Sequence, residues 1–426
     1  MKNNLQIVEQ IYQNVATAKS MGISQNIIQD SELTKRNITL HNQSCINFAS
    51  CSYLGIEKDP RLVEAAVDAT RKFGTQFSAS RAYLSVSLYK ELEDLLSKLF
   101  GYPTIVSATT TLGHMSVMPV IANRSDAIIM DQQVHASVQT AVKLVQATGT
   151  HVETVRHNRM DYLEGRIKKL QSKHRKIWYL ADGVYSMYGD AAPMRELHHL
   201  MDKYSNFHLY IDDAHGMSWM GKKGVGYVLD GRQLHKKAVM LTSLNKSFSA
   251  AGGAIIVADP DLEKMIRYCG GTLMFSGPVQ PPQLGAAIAS AKIHLSGEIE
   301  KYQEALQENM SLFLDLIREN NLPLLGEGKT PIFYIGIGKV LHGYHMVQRL
   351  MQRGFFTSIG AFPSVPVNRT GVRVTINANH TKEDIRKLAK VITEEIHTLL
   401  ENENMTMDDL FKTLKLNKSV RVQNQT

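Results

Sequence analysis

Short apolar runs recur through the middle of the chain, at Ile105-Val106, Ala127–Met130, Ile177–Ala181, Leu209–Ile211, Ala238–Leu241 and Ala254–Val257. Stretches long enough for a helix separate most of them. Near-continuous apolar strands alternating with helices predict a buried, mainly parallel sheet covered on both faces. Four of the runs end in a polar residue: Asp131, Asp182, Asp212 and Ser243. Ligands of open α/β sheets lie beyond the carboxyl ends of the strands, so these endings are where chemistry is expected.

The flanks follow other periods. Ile7, Ile11 and Val15 fall at i, i+4 and i+8 and predict an arm helix. Ile46–Ala49 reads as a short strand. Asp59-Pro60 opens a helix with Leu62, Ala66, Ala69 and Phe73 on one face, and Gly74 ends it. Thr75–Ser87 reads as loop, and a second helix runs from Leu88 to Phe100 with Gly101 as its stop. From about residue 291 the pattern changes. A long helical stretch, Ile293–Asn320, leads to Pro323. Strands at Ile332–Ile335 and Val372–Ile376 then flank a helix from His345 to Arg353. The last helix starts at Thr381, with Asp384 three residues on as in a capping box. The organisation expected is an N-terminal arm (1–45), a large domain (46–290), a smaller α/β domain (291–400) and a tail (401–426). In that tail Leu410, Phe411, Leu414 and Leu416 either dock as an amphipathic turn or stay loose.

Composition narrows the class. A chain of 426 residues, 43% hydrophobic and 21% charged, is that of a globular protein with room for two packed units. No apolar run reaches the roughly 20 residues of a membrane span, and the first residues lack a secretory pattern. The three cysteines (Cys45, Cys51, Cys269) form no close pair, so neither a disulfide framework nor a metal site is expected and the compartment is read as cytoplasmic. The net charge is +8 with a pI near 9.1. Its basic residues form short clusters such as Lys168-Lys169 and Lys222-Lys223, without interleaved aromatics. That argues against nucleic acid and leaves solvated surface charge or attraction of a polyanionic substrate.

Candidate chemistry centres on Ser243-Leu244-Asn245-Lys246-Ser247-Phe248, followed by Gly252-Gly253. Here a lysine sits in a small polar turn between two buried strands, where an ammonium is rare. Such an amine is suited to forming a Schiff base with a carbonyl cofactor. Asp212 leaves another buried strand, and a carboxylate facing a pyridine nitrogen makes that ring an electron sink. His215 lies three residues on. Thr109-Thr110-Thr111, before a helix, offers hydroxyls and N–H groups for a phosphate. Singly, Asp212 also reads as a helix cap, His215 as a core histidine and the threonines as a capping run. Together they describe pyridoxal 5′-phosphate.

The chain resembles the α-oxoamine synthases, a family of fold-type-I pyridoxal-phosphate enzymes, over roughly residues 45–400. The matching segments are Phe48–Gly55, Asp131–Ser137, Asp182–Pro193, Ile211–Gly216, the Lys246 stretch, Val372–Val374 and His380-Thr381. The resemblance implies a large domain with a mainly parallel seven-stranded sheet, a smaller C-terminal α/β domain and a homodimer with shared active sites. It implies that Lys246 holds the cofactor and moves the α-proton, that His135 stacks on the ring, and that Asp212 pairs with the ring nitrogen. His215 and Ser186 approach the phenolic oxygen, Ser243 contacts the phosphate with the threonines, and Arg373 takes the substrate carboxylate. Tyr53 and Arg81 fall in substrate-binding segments.

The departures from the family bear on substrate choice. Cys51 stands where an Asn is common, and His114 replaces another Asn. Ser78-Ala79-Ser80-Arg81 replaces G-G-S-R. Phe275-Ser276-Gly277-Pro278 lacks the hydroxyl that reaches a neighbouring subunit's phosphate, a loss that Ser276 makes good or that a different dimer contact absorbs. The implied reaction is decarboxylative condensation of an α-amino acid with an acyl thioester, carried by coenzyme A or an acyl carrier protein. A pyridoxal-phosphate aminotransferase or lyase is the alternative.

Overall fold

A computed structural model describes residues 4–416, which form two compact units. The larger takes Leu54–Ser186 and Ala191–Gln303. Its seven strands, in chain order, are β1 (Thr104–Ser107), β2 (Ala127–Asp131), β3 (His151–Val155), β4 (Ile177–Asp182), β5 (Phe207–Asp212), β6 (Ala238–Ser243) and β7 (Gly253–Val257). They lie in the order β1-β7-β6-β5-β4-β2-β3, and all pairings are parallel except the two made by β7. All six apolar runs read from the sequence become strands of this sheet. β3 escaped that reading because it is an edge strand with a largely solvated pattern, HVETV.

Strand side chains alternate between two cores, as the period of two requires. Ile177, Tyr179, Ala181, Leu209, Ile211 and Met240 join Leu92, Leu96 and Leu197 on one face. Trp178, Leu180, Tyr210, Val239 and Leu241 join Val117, Met118, Val138 and Val142 on the other. Covering both faces leaves only the strand ends open to ligands.

The smaller unit takes the described residues up to Tyr53, Met187–Asp190 and those from Glu304 on. It holds an antiparallel sheet in the order Leu324–Leu325, Ile332–Gly338, Thr370–Thr375, Ser358–Gly360. A second sheet pairs Asn37–Leu40 with Gln43–Asn47, and the latter with Phe355–Phe356. The N-terminal stretch therefore packs with C-terminal residues, and the large unit begins at Leu54 and ends at Gln303, not at 46 and 290. The helix expected over Ile293–Asn320 is two helices, Pro281–Ser296 and Glu300–Glu319. Gly297 between them adopts a left-handed φ of 82°, which ends the first helix at little steric cost.

The capping box at Thr381 forms: Thr381 Oγ1 accepts from Asp384 N at 3.1 Å, and Asp384 Oδ2 from Thr381 N at 2.8 Å. The tail docks as a helix, Met407–Thr413, burying Leu410, Phe411 and Leu414. Leu414 fills the space beside Gly336 that a Cβ there would need. Residues 417–426 lie outside the described part. Among the described residues no helix is long and apolar enough to cross a membrane, and no cluster of side chains could hold a metal ion.

Candidate active site

The turn that carries Lys246 is tied at both ends. Leu244 N donates to Gly252 O at 3.0 Å, Ala250 N to Leu244 O at 2.9 Å and Gly252 N to Asn245 Oδ1 at 2.8 Å. Ser249, with a left-handed φ of 61°, lets its N–H reach Lys246 O at 2.8 Å. The turn joins the antiparallel pair β6–β7, so Lys246 projects from a closed, half-buried loop at the strand ends.

Asp212 ends β5, buried at 5% exposure. Its Oδ1 accepts from Ala214 N at 3.0 Å, and its Oδ2 from His114 Nε2 at 3.0 Å. Burial opposes its charge, but His114, Lys246 and the Ala214 N–H outweigh that and hold the carboxyl at about 2. The other strand-end acids are spent differently. Asp182 accepts from His135 N at 3.0 Å, and burial together with the charge of Asp212 pushes it well above its ordinary value. Asp131 is locked in its own hub, accepting from Gln133 N, Asn158 N, Tyr179 Oη and His157 Nδ1. Burial also lowers the affinity of the His135 ring for a second proton, and Asp212, Lys246 and His114 all act on that ring. Lys246, Asp212, His135 and His114 thus share one electrostatic site.

Asp213, the next residue, is fully buried, and burial raises its carboxyl well above its ordinary range. Its Oδ2 accepts from Val228 N at 3.1 Å, and the Tyr227 backbone N–H also serves the carboxyl. Gly183, Gly216 and Gly226 surround it, and a Cβ on any of the three would overlap its carboxyl. The shifts run in opposite directions, Asp212 down and its two buried neighbours up, as the mutual repulsion of like charges in a small volume requires.

Behind the lysine turn, Ser290 Oγ donates to Phe248 O at 2.6 Å. His294 reaches Ser290 O through Nδ1 at 2.8 Å and Ser218 Oγ through Nε2 at 3.0 Å. Burial holds the His294 imidazole down to about 4, against 6.5 unfolded. The unfolded chain binds the extra proton first, so this histidine's contribution to stability is intact above pH 6.5 and lost as pH falls towards 4. His294→Gln is expected to lose about 2 kcal/mol less stability than wild type between pH 7 and pH 5, read from urea unfolding at the two values. Identical losses in the two proteins would remove His294 from the account.

The remaining residues singled out in the sequence fall as follows. Thr109 caps the Thr110–Ile121 helix, accepting from Leu112 N at 3.1 Å, and Thr110 Oγ1 lies 3.5 Å from Thr242 O. This helix start comes so close to β7 that a Cβ on Gly253 would sit 2.8 Å from the Thr110 backbone. Ser243 Oγ accepts from Asn245 N at 3.2 Å. His215 is buried in the turn after β5, and Ser186 is half-buried beyond β4. Ser276 Oγ donates to Thr272 O at 2.6 Å. Arg81 is engaged by protein groups. Its guanidinium donates to Val106 O at 2.6 Å, pairs with Glu93 at 3.0 Å and lies over the Tyr89 ring at 3.9 Å, all of which fix the loop before the Ser87–Phe100 helix. In the smaller unit Arg373, on the Thr370–Thr375 strand, is buried at 7% exposure with Cys51 Sγ 3.9 Å from its Nη2. Tyr53 is buried beside the pair and interacts with both.

Sequence reasoning missed the roles of His114, Asp182 and Asp213. The signal for His114 was its spacing: it follows Thr110 by four, on the face of the helix that meets the sheet. These residues fit pyridoxal 5′-phosphate: an amine in a closed turn, a buried carboxylate kept ionised beside it for a ring nitrogen, a histidine for the ring face and a helix start for the phosphate.

Residues 43–392 match the family described as aminotransferase class I and II. An 8-amino-7-oxononanoate synthase from Symbiobacterium thermophilum is 31% identical over 81% of this chain and 87% of its own. A serine palmitoyltransferase from Bacteriovorax stolpii is 28% identical over 86% of each. Among solved structures, a serine palmitoyltransferase carrying pyridoxal phosphate as an internal aldimine matches with a TM-score of 0.84 over 93% of this chain and 99% of its own. At 20% identity that likeness speaks to fold alone. With most of its length matched and its closed lysine turn beside an ionised aspartate, the chain belongs to the aminotransferase class I and II family, on its α-oxoamine synthase branch.

Proposed function

We propose that this protein condenses an α-amino acid with an acyl thioester, releasing CO2 and the free thiol and giving an α-aminoketone. The observation that carries the reading is the buried carboxylate of Asp212, held ionised within the same site as Lys246 and His135. Pyridoxal 5′-phosphate, once bound, supplies a carbonyl for the lysine amine and a ring that accepts electrons from the amino acid's α-carbon. Lys246 would hold the cofactor and, released from it, carry the α-proton. Asp212 would face the ring nitrogen and His135 the ring, while His215 and Ser186 would serve the phenolic oxygen. Thr109, Thr110, Thr111 and Ser243 would take the phosphate. Arg373, with Cys51 and Tyr53 beside it, would take the amino acid's carboxylate, a task for which a guanidinium's paired donors are suited.

The excess of basic residues favours a polyanionic thioester donor such as acyl-coenzyme A, and the free thiols at Cys45, Cys51 and Cys269 favour a reducing cytoplasm. We propose a homodimer as the working form. The test is a panel of amino acids, each incubated with short and long acyl thioesters while free thiol is measured. Release of thiol that depends on both the amino acid and pyridoxal phosphate is expected. Turnover of amino acids with no thiol released would instead assign an aminotransferase or a lyase.

A further inference from the structure

The Tyr210–His114–Asp212 chain has a direction. Asp212 is ionised, so it can only accept, and His114 Nε2 must carry the proton between them. In the neutral imidazole Nδ1 is then the acceptor, and Tyr210 Oη, 2.7 Å away, donates into it. Burial holds the Tyr210 phenol well above its ordinary range, so that proton stays in place. All three side chains are buried, His114 and Tyr210 completely. Each oxygen of Asp212 thereby has one protein donor, Ala214 N on Oδ1 and His114 on Oδ2, which fixes the plane of the carboxylate.

The helix that carries His114 is set for this contact. Gly113 lets it press onto the sheet, since a Cβ there would meet Ser107 Oγ at 2.9 Å and Leu241 Cδ2 at 3.1 Å. Of the groups that offset the burial of Asp212, Lys246 gives up its ammonium when it joins the cofactor's carbonyl. The His114 contact does not involve the lysine amine.

We propose that His114 is a positioning residue that orients the Asp212 carboxylate, and keeps it anionic, for the ring nitrogen of the cofactor, with the Tyr210 hydroxyl fixing its tautomer. The inference rests on the reading of Asp212 as that nitrogen's partner. It is specific to this sequence, in which a histidine occupies the position.

The test compares two ligands by equilibrium dialysis: pyridoxal 5′-phosphate and its carbocyclic analogue, in which a C–H replaces the ring nitrogen. Both keep the aldehyde and the phosphate, and only the first can engage Asp212. Wild type is expected to prefer pyridoxal phosphate. His114→Leu is expected to shrink that preference about tenfold, the scale of one hydrogen bond to a charged group, while binding of the analogue changes little. His114→Gln, which can place an amide N–H near the Nε2 position, is expected to recover part of it. Tyr210→Phe, which keeps the buried shape, provides a second route if His114→Leu does not fold and is expected to give a smaller shift in the same direction. Equal losses for both ligands would make His114 a packing residue and overturn the inference, as would an unchanged preference. If wild type binds the two ligands equally, it is the reading of Asp212 that fails.

Discussion

Lys246→Ala is expected to purify as a folded protein that stays colourless when pyridoxal phosphate is added and releases no thiol from any amino acid and thioester pair. The turn is held by backbone bonds and by Asn245, none of which uses the lysine side chain, so the fold survives its loss. What disappears is the amine of the turn and the positive charge that helps keep Asp212 ionised. Visible absorbance after dialysis against the cofactor, with circular dichroism as the folding control, makes the check. The loss of turnover should be at least about a thousandfold, because covalent attachment and proton transfer both fall on the same group. A yellow, active alanine variant would move the chemistry to another residue.

Asp212→Asn should be nearly as damaging for a different reason. The amide keeps the shape of the carboxylate but removes its charge, and its NH2 must then face a donor, either Ala214 N–H or His114 Nε2–H. Lys246 remains to hold the cofactor, so the protein should still colour. The step that suffers is removal of the α-proton, which needs the ring to take up charge. Exchange of that proton with deuterated solvent, followed by NMR without any thioester, should slow about a thousandfold, the scale of losing one charged stabiliser in a buried site. Near-normal exchange would sink the assignment of Asp212 as the ring-nitrogen partner.

The sequence was most legible where burial wrote it. Runs such as IWYLA and AVML are apolar because both faces of the sheet are covered, and every such run proved to be a strand. Strand β3 was not legible, since an edge strand keeps polar residues and loses that pattern. The break at Gly297 was missed because apolar positions continue in helical spacing on both sides of it. In the site, Lys246 and Asp212 could be read from their place at strand ends. The contacts of Arg81 could not be read this way, because nothing in a lone loop arginine points to Glu93 or to the Tyr89 ring. His114 and Asp213 also stayed hidden, because Tyr210 lies 96 positions from His114 and Gly183 is 30 positions before Asp213, so only the fold assembles them.

The cage around Asp213 ties four positions into one unit of inheritance. A side chain cannot be added at residue 183, 216 or 226 while the acid remains, and shrinking the acid opens a void that the glycines cannot fill. Any lineage that abandons this arrangement must therefore change several of these positions together, so drift at each should stay frozen even though none of the four carries out the reaction.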